Sequence, residues 1–144
     1  MSYDVRRART AQERQQAIDL RYRVFCVEQG VPVADELDGR DDDGLHLVAV
    51  DPDGRVVATC RLLFTGDAVQ FSRLAVEPSH RRRGIASRLL EAADREAEGG
   101  GARRLVLHAQ TYAKALYLDH GYRERGSLFW EAGIEHVAME KVLA

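Results

Sequence analysis

Three consecutive arginines, Arg81, Arg82 and Arg83, run directly into Gly84, Ile85, Ala86 and Ser87. The chemistry suited to that order is anion binding. Guanidinium groups supply charge and directed donors. A glycine lets an anion approach the backbone closely. If a helix starts here, its free N–H groups and the positive end of its dipole complete the hollow. A phosphate or pyrophosphate is the natural ligand. A solvated basic loop ahead of an ordinary helix would carry the same residues, so the neighbouring elements have to decide.

Those elements follow from the pattern of the chain. Tyr3 to Ala8 alternates as a strand. Thr10 lies three residues before Glu13, a capping-box spacing that opens a helix. Ile18, Tyr22 and Phe25 give that helix an apolar face as far as about Val27, and Gly30 and Pro32 end it. Asp35 to Gly44 is acidic and reads as an exposed loop. Leu45 to Asp51 and Arg55 to Phe64 read as strands around the turn Asp51-Pro52-Asp53-Gly54, and Ala68 to Val76 as a third. From Gly84, the residues Ile85, Leu89, Leu90, Ala93 and Ala97 mark one face of a helix stopped by Gly99, Gly100 and Gly101. Arg104 to Ala109 is a strand, Thr111 to His120 a short helix and Ile134 to Val142 a last strand. The order is β-α-β-β-β-α-β-α-β. The strand–helix–strand unit from Phe71 to Ala109 implies a right-handed crossover and a parallel pair in an otherwise antiparallel sheet. In open α/β sheets, ligands bind beyond the carboxyl ends of such strands, which is where the arginine loop falls.

The 144 residues are enough for one domain over 1–144, and 45% hydrophobic with 31% charged residues is the balance of an ordinary globular chain. The net charge of -2 gives no general attraction to nucleic acid or anionic membranes. The arginine run lacks interleaved aromatics to stack on bases. No apolar run is long enough to span a bilayer and the N-terminus lacks a signal-type core, so a cytoplasmic location is expected. Cys26 and Cys60, far apart in sequence, form neither a disulfide framework nor a metal-ligand cluster.

The stretch Leu74 to Leu90, LAVEPSHRRRGIASRLL, with its spacing Arg81-x-x-Gly84-x-Ala86, resembles the coenzyme A pyrophosphate loop of the GNAT N-acetyltransferase superfamily. Thr111 to Tyr122, TYAKALYLDHGY, resembles the second signature of that superfamily. Leu20 to Val31, LRYRVFCVEQGV, is similar to a segment of its ElaA-like subgroup, as are Leu107 to Gln110 and Gly133 to His136. The resemblance implies an α/β (α+β) fold with a mixed, mostly antiparallel sheet flanked by helices. It implies acetyl-coenzyme A as co-substrate, no metal, and transfer of acetyl to a primary amine of a small molecule or peptide by direct attack in a ternary complex. The backbone of Leu74, Ala75 and Val76 is then expected to pair with the pantetheine arm, and Arg81, Arg82, Arg83, Gly84, Ile85, Ala86 and Ser87 to hold the pyrophosphate. Backbone N–H groups near Val76 are expected to stabilise the oxyanion.

Within the same resemblance Tyr117 occupies the position of a general acid; a phenol near its normal pKa is a donor matched to a departing thiolate. The segment after the first helix borders the acceptor pocket, which makes Phe25, Cys26 and Gln29 acceptor contacts. Glu28 there is the candidate general base or water-positioning group, since a carboxylate both attracts an ammonium and accepts its proton. His108 and His136 are further pocket candidates, with a strand-end hydrogen bond as the plainer role for His108. A homodimer through a sheet edge or the last strand is expected from the resemblance. Two rival readings stay open: an acyltransferase like the acyl-homoserine-lactone synthases, which the Arg-x-x-Val-Phe and acidic segments resemble, and a non-catalytic acetyl-coenzyme A sensor.

Overall fold

The protein is described by a computed structural model covering residues 2–143; the end positions 1 and 144 of the expected domain lie outside the described residues. Seven strands form one sheet. Strand β1 (Asp4–Arg7) leads into helix α1 (Ala11–Arg21), which continues as a wider, π-helical coil over Tyr22–Glu28. A helical turn α2 (Val33–Glu36) precedes β2 (Leu45–Val50), β3 (Val56–Thr65) and β4 (Ala68–Val76). Helix α3 (Ile85–Gly99) crosses to β5 (Arg104–Gln110), and α4 (Lys114–Asp119) is followed by β6 (Arg123–Glu131) and β7 (Ile134–Val142). The sheet order is β1-β2-β3-β4-β5-β7-β6, with β4 and β5 parallel and the other paired neighbours antiparallel.

The crossover helix forms for the reason its pattern gives. Ile85, Leu89, Leu90, Ala93 and Ala97 recur at three and four and are all buried in the core shared by β2–β5. Full burial of a leucine such as Leu89 or Leu90 contributes roughly 2 kcal/mol. At the start of α1, Thr10 Oγ1 accepts from the Glu13 amide at 3.1 Å, so the expected cap is present. The reciprocal half of the box is not. The Glu13 carboxylate instead takes the Arg9 amide and a two-pronged contact from Arg6 at 2.8 and 2.7 Å.

Three expectations change. Helix α1 and its continuation bury Ala17, Leu20, Arg21 and Val24, whereas Tyr22 stays half exposed. The apolar face is therefore rotated from the one expected, and an arginine sits at its centre. The Asp35–Gly44 segment is not simply an exposed loop. Glu36 is buried and pairs with Arg21 at 2.6 Å; Asp41 accepts from Arg21 at 2.7 Å and Arg61 at 3.1 Å; Asp38 takes Arg61 at 2.7 Å. Its acidity is the counter-charge of two arginines, Arg21 and Arg61, that the sheet and α1 bury. The third change is β6, which the sequence conceals because Arg123–Glu131 is exposed along most of its length, has Gly126 in its middle and so has no inward-facing apolar row.

Candidate active site

Strands β4 and β5 pair only from Ala68 to Gln70 against Arg104 to Val106. Beyond Gln70 they separate, and a cleft of about 390 Å³ opens between them. The separation begins well before Val76, and β4 is irregular within it. Its register against β3 shifts where Thr59 faces Ala75 and Arg61 faces Ser72, and Arg73 at this bulge has φ 58°. A left-handed non-glycine residue in a bulge is strained and re-aims the strand. Arg73 is secured there by donating to the Glu36 carbonyl at 3.0 Å and to Asp38 at 3.3 Å. On the side of β4 facing the cleft no strand among the described residues pairs with Leu74, Ala75 or Val76, although Ala75 and Val76 pair with β3 on the other side.

The arginine loop follows the end of β4. Arg82 has φ 63° and Gly84 φ 77°, two left-handed residues that turn the chain into α3. The amides of Gly84, Ile85, Ala86 and Ser87 have no backbone acceptor among the described residues. A Cβ built on Gly84 would meet nothing within 4 Å, so the space over the helix start is open. Arg81 is not poised over that space. It donates to the Val76 carbonyl at 3.0 Å and grips both oxygens of Glu28 at 2.8 Å. Arg83 reaches back to the Tyr3 hydroxyl at 3.0 Å.

Phe25, Gln29, Leu74, His108, Tyr117 and His136 all line the cleft. The wide coil of Tyr22–Glu28 is part of the reason: Gln29 N bonds to Val24 O and Val31 N to Phe25 O, wider spacings than an α-turn allows. The Gln29 carboxamide then ties this coil to the end of β5 and the turn that follows it, accepting from Gln110 at 2.9 Å and donating to Tyr112 at 3.2 Å. Glu28 and Cys26 fall elsewhere. Glu28 is held by Arg81, whose hydrogen bonds pull its carboxyl below the usual range, so in this state it is a weak base. Cys26 lines a separate depression with Ile18, Tyr22 and Val33, and burial raises its thiol pKa, which disfavours the thiolate.

Tyr117 is buried against Phe71 and Tyr122 with edge-on ring contacts, and its hydroxyl has no hydrogen-bond partner among the described residues. Burial pushes this phenol well above the ordinary tyrosine range, contrary to the expectation of a near-normal pKa. The cause is desolvation of the phenolate; the result is a tyrosine that keeps its proton.

Glu131, at the end of β6, is a cleft residue that the sequence gives no signal for. It accepts from His108 Nδ1 at 3.2 Å and lies 3.8 Å from His136 Nε2. The Ala132-Gly133 turn beside it has φ 51° and 77°, positive at both central positions as a tight type I′ hairpin requires. No group of three His, Cys, Asp or Glu side chains among the described residues is arranged to hold a metal ion. No helix among them is long and apolar enough to cross a membrane.

A parallel pair that splays, with an amide-lined helix start at the end of one strand, defines an acyl-coenzyme A N-acyltransferase fold. The chain belongs to the acetyltransferase (GNAT) domain family, which it matches over residues 10–143, and it is an acetyl-coenzyme A-dependent acetyltransferase. It is 33% identical over 135 residues to the uncharacterized N-acetyltransferase YjcF of Bacillus subtilis, covering 93% of this chain and 96% of that one. Its structure resembles an acyl-CoA N-acyltransferase from Pseudomonas aeruginosa with TM-score 0.84, 28% identity and 98% and 99% of the two chains covered. It also resembles Escherichia coli ElaA, with TM-score 0.83, 23% identity and 97% and 98% covered.

Proposed function

We propose that this chain transfers acetyl to a primary amine of a small molecule or peptide by direct attack in a ternary complex. The observation that carries the reading is the cleft itself, opened by the parting of β4 and β5 after Gln70 and bordered by Tyr117. Acetyl-coenzyme A supplies an activated thioester. The residues fit it: four amides at Gly84 to Ser87 without a backbone acceptor among the described residues, and an open approach over Gly84, suit a pyrophosphate. The unpaired side of Leu74 to Val76 suits an extended arm added like a strand.

In this reading the apolar walls at Phe25, Leu74 and Leu116 exclude water from the thioester. Tyr117 holds its proton until a thiolate leaves beside it and then donates it. The amides of the Arg73 bulge, rather than those near Val76, are the candidates for charge stabilisation at the acyl oxygen. The acceptor enters between the Phe25–Gln29 segment and the His108–His136 wall. Two copies of the chain paired through a sheet edge remain compatible with this arrangement.

The test is release of free coenzyme A from acetyl-coenzyme A over a panel of alkylamines, arylamines, amino acids, peptides and aminoglycosides, with acylated carrier protein as the alternative donor. Turnover with at least one amine is expected. Tight acetyl-coenzyme A binding without transfer to any of them would favour a sensor, and turnover restricted to acylated carrier protein would favour a lactone-synthase-like activity.

A further inference from the structure

We propose that His108 is the proton acceptor for the incoming ammonium group and that Glu131 is its positioning residue; this rests on the amine-acetyltransferase reading above. The argument starts from which nitrogen carries a proton. A carboxylate only accepts hydrogen bonds, so the 3.2 Å contact from His108 Nδ1 to Glu131 requires the proton on Nδ1. The neutral ring then has its lone pair on Nε2, which has no hydrogen-bond partner among the described residues. The side chain is nearly half exposed and lines the cleft, so Nε2 is accessible to a ligand there. An imidazole fixed by a carboxylate, with the far nitrogen bare, is the arrangement that accepts a proton and stabilises the resulting imidazolium.

The surroundings hold this geometry in place. Phe129 packs edge-on against His108, with ring centres 5.0 Å apart, and stacks on His136 at 5.9 Å. His136 is fixed as well: its Nδ1 donates to the Ile134 carbonyl at 2.7 Å, which turns Nε2 toward Glu131. At 3.8 Å that nitrogen lies beyond hydrogen-bond reach of the carboxylate, so the hydrogen bond to Glu131 belongs to His108. The Ala132-Gly133 turn, on which Glu131 depends for its place, keeps β6 and β7 together at this end. Among the other charged groups of this wall, Arg125 is engaged by Glu140 at 3.2 Å and Arg73 by Glu36 and Asp38, so neither occupies Nε2.

The proton balance is complete with the groups named. The acceptor enters as R–NH3+. One N–H proton passes to His108 Nε2, freeing the nitrogen lone pair to form the C–N bond to the acyl carbon. The C–S bond breaks with its electron pair staying on sulfur, and sulfur takes the Tyr117 proton. The second proton leaving the amide nitrogen restores Tyr117. His108 releases its proton to solvent, so the net products are amide, thiol and one proton.

Two measurements on the full chain test this. Long-range ¹H–¹⁵N NMR of the histidine rings should find neutral His108 protonated on Nδ1, and Glu131→Ala should abolish that preference. An Nε2–H tautomer in the native protein, or a ring unaffected by E131A, overturns the proposal whether or not any amine is turned over. The second compares alkylamine with arylamine acceptors, the former charged and the latter neutral at pH 7. His108→Gln should lower kcat with the alkylamine by about 10²- to 10⁴-fold and with the arylamine by less than about threefold. Glu131→Ala should follow the same split with a smaller loss. Equal losses for both amines overturn the base assignment, and coenzyme A affinity measured alongside reports whether the variant is folded. If the native chain transfers acetyl to no amine, the functional reading fails, and the NMR result still decides the His108–Glu131 arrangement.

Discussion

Arg81 and Glu28 close a two-pronged ion pair, both contacts 2.8 Å, between the phosphate loop and the coil that borders the acceptor side. The pair joins the two halves of the site. Any phosphate drawing Arg81 toward the α3 start has to compete with Glu28 for it. Both side chains are well exposed, so the pair itself contributes at most about 1 kcal/mol.

That competition gives Glu28→Gln an unusual expected effect. Removing the charge releases Arg81, so coenzyme A should bind up to about fivefold more tightly, the equivalent of about 1 kcal/mol. The kcat with an alkylamine should change by less than about threefold, whereas loss of a general base would cost about 10²-fold or more. Isothermal titration and steady-state turnover separate the two: weaker binding would mean that Glu28 does not compete, and a hundredfold fall in kcat would return it to catalysis.

The split between what the sequence discloses and what it hides has a physical basis visible in these residues. Hairpin turns, the α3 face and the parallel crossover depend on local periodicity, so Asp51 to Gly54 and Ile85 to Ala97 are readable from composition and spacing. The cleft contacts depend on pairs 23 to 83 residues apart, such as His108 with Glu131 and Gln29 with Tyr112. No window of sequence contains both partners. Arg21 is hidden for a related reason: an arginine on a helix reads as solvent-facing until Glu36 and Asp41 are brought beside it.

Gly84 tests the phosphate loop from the backbone side. At φ 77° a side chain is strained by about 1–2 kcal/mol, yet a Cβ there meets no atom. Gly84→Val should therefore leave the protein folded but slightly less stable, while coenzyme A affinity falls about tenfold or more because the branched side chain occupies the anion's approach. Thermal melting with and without coenzyme A measures both. Unimpaired affinity would move the pyrophosphate away from Gly84.

The acidic segment should behave as part of the core. Glu36→Ala leaves buried Arg21 without its 2.6 Å partner, and breaking such a pair costs about 3–5 kcal/mol. Urea unfolding should find that loss, whereas Asp43→Ala, at an exposed position, should be near neutral. The pH dependence follows from carboxyls held low. Arg6 keeps the Glu13 carboxyl down at about 2, and Arg61 lowers that of Asp38. A lowered folded pKa gives stability that is present above the ordinary carboxylate range and lost as pH falls through the folded value. Glu13→Gln should therefore be less stable than the native chain at pH 6, and the difference should shrink as pH drops from about 4.5 toward about 2.

Tyr117 carries the clearest demand on mechanism. Its hydroxyl has no hydrogen bond to lose among the described residues, so Tyr117→Phe should change stability by less than about 1 kcal/mol. Coenzyme A affinity should stay within about twofold, because the ring and its contacts to Phe71 and Tyr122 persist. Turnover should fall about 10²- to 10⁴-fold if the phenol protonates the leaving thiolate. Since burial raises its pKa, the proton remains on Tyr117 through the range where an ordinary tyrosine begins to ionise. The native enzyme should consequently lose no activity to Tyr117 ionisation as pH rises to about 10. A variant with native turnover would take this residue out of the proton-donating role, whereas an alkaline fall in native kcat that Tyr117→Phe removes would overturn the raised pKa and leave the role standing.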